Sequence, residues 1–289
     1  MKKILIAAVL LFSIVAKSQT ADEVLMKFED AVGGRTLLQK LITLQYKSVI
    51  TLRMMGSPID ITVNNYRENK KLYRREVQGM MGMRNSYSLL TDTAGYLYIP
   101  PMRGFGGGGF GGGGGDRGNF GGGGFGGGDV QQSPLTKMTD AQLAEQTYQL
   151  DLDGPFGHLV NYTAKGHKAE LLGTGKVNKQ DCYKIKFTLK SGQEMTYYIS
   201  TATYYIVKLE CIGKVAIQQF GIGPLLEQMG SNANKMKVDI LFSNYDDIGN
   251  GIKFPMKEKL EVGAAEIDLA NSDFINNVEI DTKYYRNRN

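Results

Sequence analysis

Residues 167–211, HKAELLGTGKVNKQDCYKIKFTLKSGQEMTYYISTATYYIVKLEC, contain three runs in which apolar and polar side chains alternate with a period of two. That period sends successive side chains to opposite faces of a sheet. In the first run Tyr183, Ile185, Phe187 and Leu189 share one face and Cys182, Lys184 and Lys186 the other. Met195, Tyr197 and Ile199 fall together in the second run, and Tyr205, Val207, Leu209 and Cys211 in the third. The polar connections at 190–192 and 201–203 have hairpin length, so the runs are expected to pair as an antiparallel meander. One face of that meander is apolar and needs a cover.

Working outward, the same period recurs. Leu44, Tyr46, Ser48, Ile50, Leu52 and Met54 alternate along 43–54, Gly56, Ser57 and Pro58 turn the chain, and Ile59, Ile61 and Val63 continue on a returning strand. Further strands are expected at 70–78, 83–90 and 95–100, then at 236–245 with Val238, Ile240 and Phe242 inward, at 252–262, and from 266 to about 280. Helices are fewer. Thr20 and Glu23 form a capping box ahead of Val24, Leu25, Phe28, Ala31 and Val32 at helical spacing, and Gly33-Gly34 supplies the stop. A short helix is expected at about 36–41, a helix of about three turns behind the Thr139/Gln142 capping box, and a short one at 155–162. Residues 214–235 read as a long connection with a helical turn at 225–229. About ten antiparallel strands with helices segregated to the N-terminus and the middle make an α+β order.

Between these segments lies 104–128, glycine runs punctuated by Phe105, Phe110, Phe120 and Phe125. Glycine loses more entropy on ordering than any other residue, so this insert reads as a flexible loop. At the N-terminus Lys2 and Lys3 precede an apolar core from Ile4 to Val15 and a small-x-small site at 16–18, the layout of a secretory signal. That core is short for a bilayer, and no other apolar run approaches about 18 residues, so no membrane-spanning helix is expected in the mature chain. The expected division is a signal peptide at 1–18 and a single domain at 19–289.

The formal charge is +5, but losing Lys2, Lys3 and Lys17 from 34 basic residues leaves 31 against 29 acidic ones, a net of +2. That is no electrostatic footprint for nucleic acid. Export permits a disulfide. The expected register nevertheless sets Cys182 and Cys211 roughly 20 Å apart and on opposite faces, whereas a bridge needs Cα atoms within about 7 Å. Two free thiols are expected.

Several motifs together carry a resemblance: ELLG, then CYKIKFTLKSGQEMTYYIS and a third strand, KFEDAVGG at 27–34, SNYDDIGNGIKFP at 243–255, and NNVEID at 276–281. In order along most of the mature chain, they resemble the outer-membrane lipoprotein-sorting-like proteins of Bacteroidetes-type bacteria, relatives of the periplasmic lipoprotein carriers and their outer-membrane receptors. The resemblance implies a strongly curved antiparallel sheet, an open half-barrel, with helices packed in or over its concave face and a hollow that takes acyl chains. Each motif is a strand-and-turn pattern, so it speaks to fold more than to activity. No local motif identifies the basic residue that gates the cavity in lipoprotein carriers.

Reactive constellations are lacking. His158 and His167 are the only histidines, no Gly-x-Ser-x-Gly elbow occurs, and both histidines read as structural or surface groups. Neither they nor the cysteines match a zinc spacing. Asp151/Asp153 and Asp246/Asp247 are glycine-flanked turns and do not complete a calcium loop. Met54-Met55 and Met80-Met81-Gly82-Met83 read as adaptable apolar filler in preference to Cu(I) ligands. No Gly-Lys-Ser/Thr follows the glycine runs, which excludes a phosphate cradle, and Arg103 and Arg117 alone do not make an RGG-type segment.

The expected function is therefore non-catalytic, with no cofactor and no metal: a periplasmic binding or carrier protein, soluble or peripheral to the outer membrane, for a lipid-like ligand such as the acyl chains of a lipoprotein. A concave apolar sheet binds such a chain without any reactive group, at about 0.8 kcal/mol per buried methylene. Alternation selects Ile50, Leu52, Ile61, Val63, Ile185, Phe187, Tyr197, Ile199, Val207, Leu209, Ile240 and Phe242 as lining residues. Phe105, Phe110, Phe120 and Phe125 either carry contacts of the glycine-rich loop with an envelope protein or membrane surface, or belong to an insertion tolerated at a loop tip. The alternative is an envelope interaction module of the same fold, its hollow filled by its own side chains.

Overall fold

Thr20 opens the first described helix as its sequence requires: its hydroxyl accepts from the Glu23 amide at 3.2 Å while the Glu23 carboxylate accepts from the Thr20 amide. The helix α1 (Ala21–Ala31) buries Val24, Leu25 and Phe28. It ends at Gly33, where φ is +136° and a Cβ would stand 3.2 Å from the carbonyl oxygen of Gly251. Glycine is needed there on both counts. The Lys253 amide then donates to the Val32 carbonyl at 3.0 Å, tying the helix end to the sheet. A single turn, α2 (Arg35–Leu38), follows. The structure is a computed structural model and describes residues 19–54, 57–79, 85–100, 135–220, 235–262 and 265–287. Outside the described residues lie the expected signal at 1–18, Met55 and the methionines of 80–83, the glycine-rich insert at 104–128 with Phe105, Phe110, Phe120 and Phe125, and the expected turn at 225–229.

All the described strands belong to one antiparallel sheet. Its N-terminal meander is β1 (Thr43–Met54), β2 (Ser57–Glu68), β3 (Leu72–Val77), β4 (Ser86–Leu90), β5 (Gly95–Tyr98) and β6 (Leu135–Lys137). The C-terminal meander is β7 (Lys168–Val177), β8 (Gln180–Thr188), β9 (Glu194–Ser200), β10 (Ile206–Ile212), β11 (Lys237–Asp247), β12 (Lys253–Val262) and β13 (Ala265–Asn276). The strand order is β6-β5-β4-β3-β2-β1-β13-β12-β11-β10-β9-β8-β7, so the two meanders join where the first strand meets the last and the sheet does not close. Among the described residues thirteen strands replace the expected count of about ten. The three-residue β6 is too short to show a period, and β7 carries Gly173, Gly175 and a bulge between Leu171 and Gly173 that break one.

Inward side chains from β1, β2 and β8–β13 all meet in one core with α1. Seven inter-strand steps of about 4.8 Å would separate β2 from β8 by roughly 34 Å in a flat sheet. Their side chains and α1 form one continuous cluster along that breadth, which is consistent with the open curved sheet expected.

The expected register of the β8–β9 hairpin is present, with Cys182 opposite Ser200, Ile185 opposite Tyr197 and Phe187 opposite Met195, but the expected β9–β10 register, which sets Cys211 level with Gln193, is not: Leu209 stands opposite Tyr197 and Glu210 opposite Thr196. Val207 is different. The β9–β10 pairing slips between Ile206 and Lys208, so Ile206 enters the core with Leu209, while Val207 packs on the opposite face beside Val177, Cys182 and Tyr198. A bulge adds one residue to one strand and so reverses the phase of everything before it. Cys182 and Cys211 are free and buried, the first in that outer cluster and the second in the main core.

The expected three-turn helix is α3 (Asp140–Gln146), capped by Thr139 and Gln142, running into a 3-10 turn at Thr147–Leu150. A second 3-10 turn at Gly157–Leu159 stands within the short helix expected at 155–162. A helix α4 (Gly213–Phe220) begins where only a connection was expected, and buries Val215 and Ala216. No described helix is long and apolar enough to cross a membrane.

Candidate functional site

The inner face of the sheet has two chemically distinct parts. Across β8–β11, Ile185, Phe187, Tyr197, Ile199, Leu209 and Ile240 are fully buried and Phe242 nearly so. On β1 and β2, beyond β12 and β13, Ile50, Leu52 and Val63 are buried and Ile61 is packed at the margin. Eleven of the twelve residues chosen by alternation thus share one apolar wall, and Val207 alone lies on the other face.

This wall is covered by α1 and the segment that follows residue 147. Phe28 and Phe156 meet edge to face at 6.0 Å, Phe156 reaches Phe242 at 5.0 Å, and Phe187 is surrounded by His158, Tyr162, His167 and Tyr197. The two parts of the cover are joined to each other by polar bonds. The Glu29 carboxylate accepts from the Asn161 amide at 2.9 Å and from the Arg35 guanidinium, and the Tyr162 hydroxyl donates to Asp22. Arg67 on β2 fastens the cover to the sheet: its Nη2 donates to the carbonyls of Gln149 at 2.8 Å and Asp151 at 3.1 Å, with the guanidinium over the Tyr73 ring. The Lys165 ammonium closes the cover's own loop by donating to Asp153 at 2.6 Å and to the Gly157 carbonyl.

A polar seam crosses β3, β2, β1, β13 and β12, where the expectation was an oily wall throughout. Arg75 stands opposite Asn65, and Ser48 opposite Asn271. Asn65 Nδ2 donates to Ser48 Oγ at 3.1 Å, Ser48 Oγ to Asn271 Oδ1 at 2.7 Å, and Asn271 Nδ2 to Glu258 Oε1 at 2.8 Å and the Pro255 carbonyl at 3.0 Å. The seam, Arg67 and the cover residues Tyr148, Gln149, Phe156 and His158 enclose a cavity of about 70 Å³ whose remaining walls include Phe242, Phe254 and Leu269. Alternation does carry the signal for this seam. Ser48, Asn65, Arg67, Arg75, Glu258 and Asn271 all stand in phase with inward apolar neighbours, and it is their polarity that keeps them out of an apolar-only selection.

Burial governs the titrating groups here. Both histidines are buried, in place of the surface alternative. Burial, with the positive charges of Lys165 and Arg67 adding to it, holds His158 well below its usual range, and its Nε2 lies 2.6 Å from the Tyr197 hydroxyl. His167 is brought down to about 4, chiefly by burial and then by Lys165 and Lys190. Glu258 is pushed up to about 7 by burial, against the opposing pull of the Asn271 bond and the Arg75 charge.

These shifts have opposite signs in folding. Between about pH 5 and 6 both histidines are neutral when folded and charged when unfolded, so unfolding takes up two protons. Glu258 is protonated when folded and ionised when unfolded, so it releases one. The three groups together should make stability rise with pH by about 1.4 kcal/mol per unit in that window, the value for one proton. Glu258→Gln removes the release and should steepen the slope to about 2.7 kcal/mol per unit. Urea unfolding at pH 5.0, 5.5 and 6.0 reads both slopes; equal slopes would show that Glu258 is ionised in the folded protein.

Comparison with solved structures places the fold. A LolA superfamily protein from Nitrosomonas europaea is similar at a TM-score of 0.52 and 11% identity, over 93% of this chain and 99% of that one. A DUF1329 family protein from Desulfovibrio piger is similar at a TM-score of 0.52 and 10% identity, over 92% and 97%. A domain named for outer membrane lipoprotein sorting, from Vibrio parahaemolyticus, is similar at 0.50 and 9% identity, over 91% and 94%. At these identities the likeness is one of fold, and fold alone does not fix activity. No family model matches the chain, and no curated protein does.

Proposed function

We propose that this protein is an exported, periplasmic carrier or binding protein for a lipid-like or acylated ligand, of the Bacteroidetes lipoprotein-sorting-like kind and without a catalytic step. The observation that carries the reading is the continuous apolar wall on β8–β11, roofed by a separate cover that Arg67 holds through two carbonyls. An acyl chain takes the place of Phe28, Phe156 and Leu159 against the wall when the cover lifts, and each methylene it buries contributes about 0.8 kcal/mol toward displacing them. Ile50, Leu52, Ile61, Val63, Ile185, Phe187, Tyr197, Ile199, Leu209, Ile240 and Phe242 are the assigned lining. Phe105, Phe110, Phe120 and Phe125 are assigned to contact with a membrane surface or envelope partner.

A second reading, an envelope interaction module of the same fold, is favoured by one observation: the cover's side chains already occupy the hollow, and the cavity left beside the seam measures only about 70 Å³. Native mass spectrometry of protein purified from the periplasm without detergent separates the two. A carrier should bring out a lipid-sized adduct that organic extraction removes and palmitate restores. Bare protein that also fails to take up palmitate would leave the module reading in place.

A further inference from the structure

Where the cover meets two turns of the sheet there is an open basin of about 570 Å³. Lys70 borders it from the β2–β3 turn, Lys190 and Ser191 from the β8–β9 turn, and Thr147, Asp151 and Lys165 of the cover lie between. Both turns are fixed against the cover. The Lys70 amide donates to the Leu150 carbonyl at 2.8 Å, and the Asn69 carboxamide beside it accepts from the Leu152 amide at 3.1 Å. On the other side the Lys190 amide donates to His167 Nδ1 at 2.9 Å, and the Lys190 stem lies over Gly166, where a Cβ would stand 3.4 Å from its Cδ.

The charges of the basin are unequally committed. Lys165 lies 2.6 Å from Asp153 and 3.6 Å from Asp151, so both carboxylates are engaged on one ammonium. Lys70 and Lys190 are exposed, and their ammonium groups make no hydrogen bond or ion pair with any described residue. Three ammonium groups against two carboxylates leave a net charge of +1, and the two uncommitted ones approach from opposite turns. Two such point charges favour an anion with several equivalent oxygens and more than one charge. Lysine serves phosphate in this way, whereas bidentate recognition of a carboxylate calls for arginine, and no described arginine borders the basin. Ser191 adds a hydroxyl engaged only by a long contact, 3.5 Å to Gln193.

We propose that this basin binds a phosphate group, carried by a lipid head group or free in solution, through the ammonium groups of Lys70 and Lys190 and the Ser191 hydroxyl. A phosphate held there joins the β2–β3 turn to the β8–β9 turn across the cover and keeps the cover down. The site stands apart from the hollow, and its occupancy does not require a lipid against the apolar wall.

The test uses the full mature protein at pH 7.5. It is titrated by calorimetry with inorganic phosphate and with glycerol 3-phosphate, against chloride of equal ionic strength. It is also sedimented with phosphatidylcholine vesicles carrying either phosphatidate or an equal charge of oleate. Inorganic phosphate should bind. At ten times its Kd, amide exchange at Leu159 and Val160 in the cover should slow about elevenfold, because a ligand of the closed form divides the opening equilibrium by 1 + [L]/Kd. Lys70→Asn, which suits the φ of +60° at that position, and Lys190→Gln should each weaken phosphate about fivefold with thermal unfolding in chloride unchanged. Binding of phosphatidate vesicles in preference to oleate vesicles, lost in both variants and without binding of the soluble phosphates, would assign the site to a lipid head group. Phosphate affinity unchanged in both variants would overturn the site, as would the absence of both soluble binding and a preference for phosphatidate. Phosphate binding that leaves exchange in the cover unaltered would overturn the clamp.

Discussion

Phe187→Ala is expected to remove about 3–5 kcal/mol of stability, the usual cost of deleting a fully buried aromatic ring. Phe187 has no exposed surface, and it stands where wall and cover meet. Its ring centroid lies 5.5 Å from that of His167, 5.7 Å from Tyr162, 5.8 Å from His158 and 6.0 Å from Tyr197. Three of these four neighbours sit outside the strands and one on β9, so no single element can collapse into the space left behind. For a protein of this size the loss corresponds to a fall in Tm of roughly 5–9 °C. Val207→Ala is the internal control: its side chain is on the outer face and half-buried, and its loss should stay within about 1 kcal/mol. Thermal unfolding of the two variants side by side checks both statements. Similar small losses in both would mean that the inner wall is loosely packed.

Arg67→Met should detach the cover locally before it unfolds the sheet. Methionine keeps the apolar stem of the side chain, but the carbonyls of Gln149 and Asp151 lose a charged donor that sits only 7% exposed. Hydrogen bonds from charged donors contribute about 1.5–3 kcal/mol each, offset here by relief of a buried cation, so a loss of about 2–4 kcal/mol is expected. The distribution of that loss is the informative part. Amide exchange should quicken at Asp151, Leu159 and Val160, whose amides are bonded within the cover, while the paired amides of β8 and β9 keep their protection. On the proposed carrier reading, uptake of palmitate should become faster for the same reason. Exchange that quickens equally in cover and sheet would show that Arg67 supports the whole fold and does not act as a fastening.

The parts of this fold that were legible are those where a local pattern has a unique physical outcome. The Thr20 and Thr139 capping boxes are satisfied within four residues, and both helices begin where they say. The alternation of β8 and β9 fixes which side chains pair, because a one-residue slip would bury Lys184 and Lys186. Val207 escaped because a bulge has no composition of its own: Tyr205, Val207, Leu209 and Cys211 alternate perfectly on paper, and only the pairing with β9 shows the extra residue. The polar seam stands in phase with the inward positions, and its polarity alone separates it from a selection by apolarity. An in-phase polar residue such as Asn65 or Glu258 is informative because burying it unpaired would be costly.

From the amino-acid order alone came the two meanders, the capped first helix, the inward set of β8 and β9 and the separation of the two cysteines, since each depends on neighbours a few residues away. The joining of β1 to β13, and with it the row from Arg75 to Glu258, was decided only in three dimensions. Ser48 and Asn271 are more than two hundred positions apart, and no local energy distinguishes that pairing from another of similar polarity. The same holds for Arg67 and the carbonyls it binds, because a backbone carbonyl leaves no trace in sequence of which distant donor it will accept.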